Sequence, residues 1–231
     1  MDISKYNLAM RMRKKSNLDQ RIFNSSDLLL AYEGSFTNVN EYIKDKEYFD
    51  YFRIFNNANP VCLDLGCGLG GFAIQIANKF KDKNFIAVEM FSNVIIGAID
   101  KARQAKLENL KFLNCRIECL EKFIKPHSID TIYLNFSNPL PNKCDARQRL
   151  TNPRFLKIYK DILKEGGLII QKTDDKDFFA YSLEQYKLEN LTVLEECWDL
   201  EALNDLNNIK TEHEIKYILE GKKIHRAIVR V

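Results

Sequence analysis

Six cysteines are present, yet no two stand in a C-x-x-C spacing, and no apolar run approaches the roughly 20 residues that span a bilayer. There is no internal repeat, no low-complexity segment and no apolar signal core near the N-terminus. Each absence excludes a class. The cysteines at 62, 67, 115, 119, 144 and 197 lie in apolar stretches or loops, so they read as reduced thiols of a cytoplasmic chain, with neither a disulfide framework nor a metal site. A membrane partner is excluded on length. Charge excludes less: 35 basic against 32 acidic residues give a net charge of +3, too small for the whole-chain field to announce a nucleic acid. Basic residues are instead grouped locally, as Arg11-Met12-Arg13-Lys14-Lys15 and again at Arg147, Arg149 and Arg154.

What the chain does contain is two apolar strands joined through glycine. Val61-Cys62-Leu63-Asp64-Leu65 runs into Gly66-Cys67-Gly68-Leu69-Gly70-Gly71, and a second strand, Phe85-Ile86-Ala87-Val88, ends on Glu89. Glycines at 66, 68 and 70 let the backbone turn tightly and approach a ligand with no Cβ between. A carboxylate about 20 residues beyond such a loop is where nucleotide-binding βαβ units meet a ribose. Asp64 stands two residues ahead of the first glycine. Acids on both sides of the loop disfavour a pyrophosphate and suit hydroxyls and a cation. S-adenosylmethionine carries a sulfonium, an ammonium and a ribose but no phosphate, and is the expected cofactor. A nicotinamide dinucleotide and a plain structural turn are the alternatives.

A chain of 231 residues suffices for one domain of ordinary size. Residues 1–38 read as a basic N-terminal arm and 39–231 as the folded domain, opening with a helix over 39–55. From Pro60 the pattern alternates. Strands fall near 61–65, 84–89, 110–114, 129–135, 168–173, 191–198 and 223–231. Helices fall near 70–80, 93–105, 117–124, 152–163, 176–188 and 211–220, with Gly166-Gly167 as the C-cap signal after the helix at 152–163. The alternation predicts an α/β fold, a seven-stranded and mostly parallel sheet with one antiparallel strand and helices on both faces.

In such a sheet, ligands gather at the carboxyl ends of the strands. Gly66 to Gly70 and Glu89 fall there, and so does Asn114-Cys115-Arg116-Ile117, where adenine belongs. The loop Asn135-Phe136-Ser137-Asn138-Pro139-Leu140-Pro141 follows the strand at 129–135 and lies beside the cofactor's methyl. Its two prolines stiffen it and push the residues before them toward extended backbone. An Asx-Pro turn is the bland reading. Gln171-Lys172-Thr173-Asp174 ends the next strand. Thr211 and Glu214, three apart, form a capping box at the last helix, for which simple capping is the competing reading.

With these residues assembled, the chain resembles the bacterial tRNA (guanine-N7)-methyltransferases from about Met10 to its C-terminus. The likeness rests on Arg11-Met12-Arg13-Lys14-Lys15, Leu63-Asp64-Leu65-Gly66-Cys67-Gly68, Ile86-Ala87-Val88-Glu89 and Ile132-Tyr133-Leu134-Asn135-Phe136-Ser137-Asn138-Pro139. It continues through Arg149-Leu150-Thr151-Asn152-Pro153-Arg154-Phe155-Leu156, Lys172-Thr173-Asp174, Asn208 to Glu214 and Gly221 to Arg226. The resemblance implies a Rossmann-like class I methyltransferase fold and transfer of a methyl group from S-adenosylmethionine to N7 of a guanine in the variable loop of tRNA. It implies that Asp64, Gly66, Gly68, Gly70, Glu89, Arg116, Ile117 and Asn135 hold cofactor. Asn138 would face the reacting base. Asn142, Lys143, Arg147, Arg149, Asp174, Thr211, Glu212, His213 and Glu214 would meet the substrate, with the arginines and the N-terminal run on phosphates.

The family's loop reads Asn-Phe-(Pro or Ser)-Asp-Pro-Trp-Pro-Lys before a dense basic run. This chain instead has Asn138, Leu140 and Asn142, followed by Lys143-Cys144-Asp145-Ala146-Arg147-Gln148-Arg149. Arg116 replaces the family's acid near adenine, and Asp64 its usual glutamate. Guanine N7 carries a lone pair and no proton, so its methylation needs positioning and no general base. An amide at 138 leaves one mismatched donor against the guanine edge, costing about 1–3 kcal/mol. Loss of the tryptophan removes stacking of about 1–3 kcal/mol. A paralogue acting on another substrate, and a module that binds cofactor or RNA without turnover, are the alternatives. The pattern fits a monomer and a homodimer alike.

Overall fold

Val61–Leu65 and Asn84–Val88 are buried at every position. Strands with no in–out alternation have both faces covered, which is the signature of a parallel sheet between layers of helices. The computed structural model describes residues 16–32 and 38–231. Its strands are β1 (Leu29–Tyr32), β2 (Val61–Leu65), β3 (Asn84–Val88), β4 (Leu110–Asn114), β5 (Ile129–Asn135), β6 (Leu163–Thr173), β7 (Thr192–Cys197) and β8 (His225–Arg230). They form one sheet in the order β1-β4-β3-β2-β5-β6-β8-β7. Every pair from β1 to β6 is parallel. Only β8 runs against its neighbours, pairing antiparallel with both β6 and β7.

The helices are α1 (Leu18–Phe23), α2 (Val39–Tyr42), α3 (Tyr51–Phe55), α4 (Gly71–Lys79), α5 (Ser92–Ala105), α6 (Leu120–Phe123), α7 (Pro153–Ile162), α8 (Lys176–Leu188) and α9 (Glu212–Leu219). In α5 the buried Ile95, Ile96, Ile99 and Ala102 recur at helical spacing, so one stripe faces the sheet. With α1 and α4 it forms one apolar layer around Phe72, Ile76 and Phe85. On the other face α6, α7 and α8 pack Phe123, Phe155, Tyr159 and Phe179 into a second layer. The order of strands reverses on either side of β2, with β3 next to it on one side and β5 on the other. The crevice at their carboxyl ends is where open α/β sheets hold ligands.

The sheet has eight strands where seven were expected. The extra strand comes from the segment read as an arm: Leu29–Tyr32 pairs in parallel with β4 and covers its edge. Arg21 bonds Asp100, and Arg103 bonds Asp27 at 2.8 Å, fixing residues 18–32 to α5. The basic run at 11–15 lies outside the described residues. The single helix expected over 39–55 is two short ones, because the amides of Glu47 and Phe49 go to the carbonyls of Lys122 and Phe123. Asp50 then caps α3 by accepting from the Arg53 amide at 3.2 Å. Gly166-Gly167 is no helix cap. The helix α7 ends at Ile162, and the glycines turn inside the long β6, where the Gly166 amide donates to the carbonyl of Val231 at 3.1 Å.

Candidate active site

Leaving β2, the chain turns through Gly66, Gly68 and Gly70 at φ of +77°, +55° and +75°. Such angles are strained for residues with a Cβ. A Cβ on Gly66 or Gly68 would meet nothing within 4 Å, so the space beside this backbone is open. Gly70 serves packing, since its Cβ would lie 2.8 Å from that of Ala98. Across the loop, Glu89 accepts from the Gly68 amide at 3.2 Å and from the Phe91 amide at 2.9 Å, one bond per oxygen. Burial raises its carboxyl, against the pull of those amides. Each oxygen keeps acceptor capacity for a hydroxyl.

Asp64 is 1% exposed. Its Oδ1 accepts from Asn135 Nδ2 at 3.4 Å, while Asp64 Oδ2 and Asn135 Oδ1 are buried with no partner. Burial pushes the Asp64 carboxyl up to about 7, with the Asn135 hydrogen bond and the charge of Lys172 opposing. Two orphan acceptors on neighbouring strands call for a donor that carries positive charge. The ammonium of S-adenosylmethionine supplies one, so these residues fit that cofactor: Asp64 would meet its ammonium, Glu89 its ribose, and the glycine cradle leaves room for it.

Two cavities open here, sharing Gly66 and Phe136. The smaller, about 130 Å³, is lined by Asp64, Gly66, Gly68, Asn135, Thr211, Glu212 and His213 among others. The larger, about 450 Å³, is lined by Glu89, Met90, Arg116, Ile117, Asn138 and Leu140 among others. The sequence-derived cofactor and base-facing residues are thereby brought together, except Gly70. Asn142, Lys143 and Arg147 lie outside both cavities and are exposed, Asn142 at the N-cap of a short 3₁₀ turn at Lys143–Gln148 and the other two on it. Asp174 pairs with Lys222 at 2.8 Å. Arg149, expected on phosphate, instead donates from Nε and Nη2 to the carbonyl of Leu140 at 3.2 and 3.0 Å.

Two elements close the site. The loop after β5 is strained at both ends, with Phe136 at φ +52° and Leu140 at +47°. Leu140 precedes a proline and was expected to be extended; the Arg149 fork and a bond from its own amide to Asn138 Oδ1 at 3.2 Å hold it left-handed. The second element is the segment leading into α9. Its capping box forms as expected, the Glu214 amide donating to Thr211 Oγ1 at 2.9 Å. Glu214 is also fully buried against Lys172, Nζ to Oε2 at 2.6 Å, and Lys172 donates further to Asn208 Oδ1 and the Ile209 carbonyl. Burial lowers Lys172 from its ordinary value, with Glu214 opposing.

Lys172 has no role assigned from the sequence, although a lysine closing an apolar strand is itself a signal that a buried partner exists. Phe136 and Tyr217 likewise have no role assigned from the sequence. Their rings lie 5.8 Å apart and both approach His213, forming an aromatic cluster of which Phe136 and His213 line the smaller cavity. Among the described residues, no group of three or more His, Cys, Asp or Glu side chains is arranged to hold a metal, and no helix is long and apolar enough to cross a membrane.

A reversed-order parallel sheet, a glycine cradle and two flanking acids define a Rossmann-like methyltransferase. Residues 58–227 match the family described as "Putative methyltransferase". The chain belongs to the tRNA (guanine-N7)-methyltransferase family: it is 33% identical over 224 residues to that protein of Bacillus subtilis (strain 168), covering 95% of this chain and 98% of the relative. To its Listeria monocytogenes serotype 4b counterpart it is 38% identical over 187 residues, 80% and 87% of the two chains. Solved structures share the fold at low identity. The 16S rRNA methyltransferase KamB superposes with a TM-score of 0.59 at 12% identity, covering 80% of this chain and 95% of that one. A SAM-dependent methyltransferase from Aquifex aeolicus gives 0.55 at 10%, covering 85% and 100%.

Proposed function

We propose that this protein transfers a methyl group from S-adenosylmethionine to N7 of a guanine in tRNA, in the variable loop as in the family it resembles. The observation that carries this reading is the pair of orphan acceptors on Asp64 and Asn135 lying one loop away from Asn138. When bound, the cofactor supplies an electrophilic methyl on a sulfonium. Asp64 and Asn135 orient the amino-acid end, Glu89 holds the ribose, and Arg116 and Ile117 border the adenine.

Because guanine N7 needs no deprotonation, the work left to the chain is orientation. Asn138 Oδ1 is occupied by the Leu140 amide, which leaves the Asn138 NH₂ to donate. Guanine presents two acceptors, O6 and N7, on the edge where the reaction occurs. A donor to O6 leaves N7 free to attack. Thr211, Glu212, His213 and Glu214 shape the wall of the pocket, Asp174 supports it through Lys222, and Asn142, Lys143 and Arg147 face the RNA backbone. The cytoplasm is the compartment this activity requires, in accord with six free thiols.

The test is incubation of the purified chain with methyl-labelled S-adenosylmethionine and an unmodified tRNA transcript, followed by nucleoside analysis. Label in N7-methylguanosine is expected. Label in another nucleoside, or binding of the cofactor by calorimetry with no transfer to tRNA, overturns the proposal.

A further inference from the structure

We propose that Arg149 is a positioning residue for methyl transfer, a clamp that sets the loop carrying Asn138; this rests on the reading of function above. Its Nε and Nη2 both donate to the Leu140 carbonyl, at 3.2 and 3.0 Å. The guanidinium stacks on Tyr181, 4.4 Å from the ring centroid. Arg149 does not line the 450 Å³ cavity, although its neighbours Gln148 and Leu150 do. It stands behind the wall.

Both sides of the clamp are determined by their surroundings. Behind Arg149, Thr151 and Ser182 are 0% exposed and bonded at 2.9 Å, and Gln171 of β6 donates to Ser182 at 3.0 Å. Tyr181 accepts from Asn152 Nδ2 at 3.1 Å, at the start of α7. The arginine therefore springs from a rigid, buried junction of α7, α8 and β6. In front of it, Leu140 holds a backbone conformation that non-glycine residues seldom adopt, and its amide fixes the Asn138 side chain. Arginine sets the Leu140 carbonyl, and Leu140 sets Asn138. A planar fork that also stacks is needed for this; lysine supplies one donor from a flexible stem and no flat face.

The experiment compares Arg149→Lys with wild type in steady-state methyl transfer to tRNA at several salt concentrations, with hydrogen exchange of the loop measured in parallel. Displacing a reacting group by about an ångström costs up to about 100-fold in rate. The variant is expected to lose 10- to 100-fold in kcat, with KM for tRNA within about threefold and an unchanged salt slope, and to exchange its Leu140 amide faster. Tyr181→Leu, which removes the stacking face and keeps the charge, is expected to lose kcat in the same direction. A phosphate contact would give the opposite pattern: raised KM, a salt slope smaller by about one, and little loss with lysine. That result, or an unchanged Leu140 exchange rate, overturns the clamp. If wild type itself fails to methylate tRNA, the functional reading falls and the exchange measurement still decides the clamp.

Discussion

Asn135 donates to Asp64 across neighbouring strands at 3.4 Å, and each residue keeps one buried oxygen without a partner. Left alone, such an arrangement destabilises the folded chain, because buried acceptors have given up water for nothing. Sites that bind tightly are often built on this kind of local cost, which a ligand then relieves.

The cost has a pH signature. The Asp64 carboxyl goes from an ordinary 3.8 to about 7 on folding. Between those values the folded protein holds a proton that the unfolded chain has released. Stability is fully present below 3.8 and falls as pH rises through about 7. Asp64→Asn removes this loss and is expected to raise stability at pH 8 by on the order of 2–4 kcal/mol, with a higher melting temperature, while changing little at pH 4. It should also weaken S-adenosylmethionine binding at pH 8 by tenfold or more. Scanning calorimetry at both pH values checks the first part; equal shifts at pH 4 and pH 8 would count against it.

Glu89 bonds two amides with two oxygens. Glu89→Gln keeps one acceptor and faces the other amide with an NH₂ group. About 1–2 kcal/mol of stability is expected to go with it, and cofactor affinity should fall roughly 10- to 100-fold, about 1–3 kcal/mol. Isothermal titration with S-adenosylmethionine measures the affinity directly.

Lys172 and Glu214 are 4% and 0% exposed in their side chains. Lys172→Met strands a buried carboxylate and is expected to cost about 3–5 kcal/mol, whereas Lys172→Met with Glu214→Leu should recover most of that. Urea unfolding of the two singles and the double closes the cycle. Additive losses would show that the pair is uncoupled.

The altered loop offers a test of the donor role. Asn138→Asp keeps an oxygen for the Leu140 amide but removes the NH₂ donor and sets a carboxylate oxygen against guanine O6, so kcat/KM on tRNA is expected to fall by about tenfold or more. Leu140→Trp restores a stacking face at the cavity and is expected to raise kcat/KM, by about tenfold if it recovers about 1.4 kcal/mol. A raised kcat/KM with Asn138→Asp would count against the donor role.

The strands from 61 to 135 were legible because buried parallel strands are uninterrupted apolar runs and glycine turns are sparse. The strand Leu29–Tyr32 was not, since it is four residues long, follows a basic, polar stretch, and owes its place to pairing with β4 and to apolar packing from both layers. The break in the 39–55 helix was equally hidden. It depends on amides given to Lys122 and Phe123, about 75 residues away in sequence. The site was readable where chemistry dictates residue type, as at Gly66, Glu89 and Thr211. Where a side chain has two uses the sequence left the choice open: Arg149 has the charge for phosphate and the geometry for a carbonyl, and its fork on the Leu140 carbonyl could not be read from residue type.

β8 is wedged between β6 and β7, although it follows both in the chain. β7 has no sheet neighbour except β8, so the last strand alone ties it to the sheet. A chain cut before His225 would leave the main-chain groups along one side of β6 unpaired and β7 with no partner, an open edge of the kind that recruits other extended peptides.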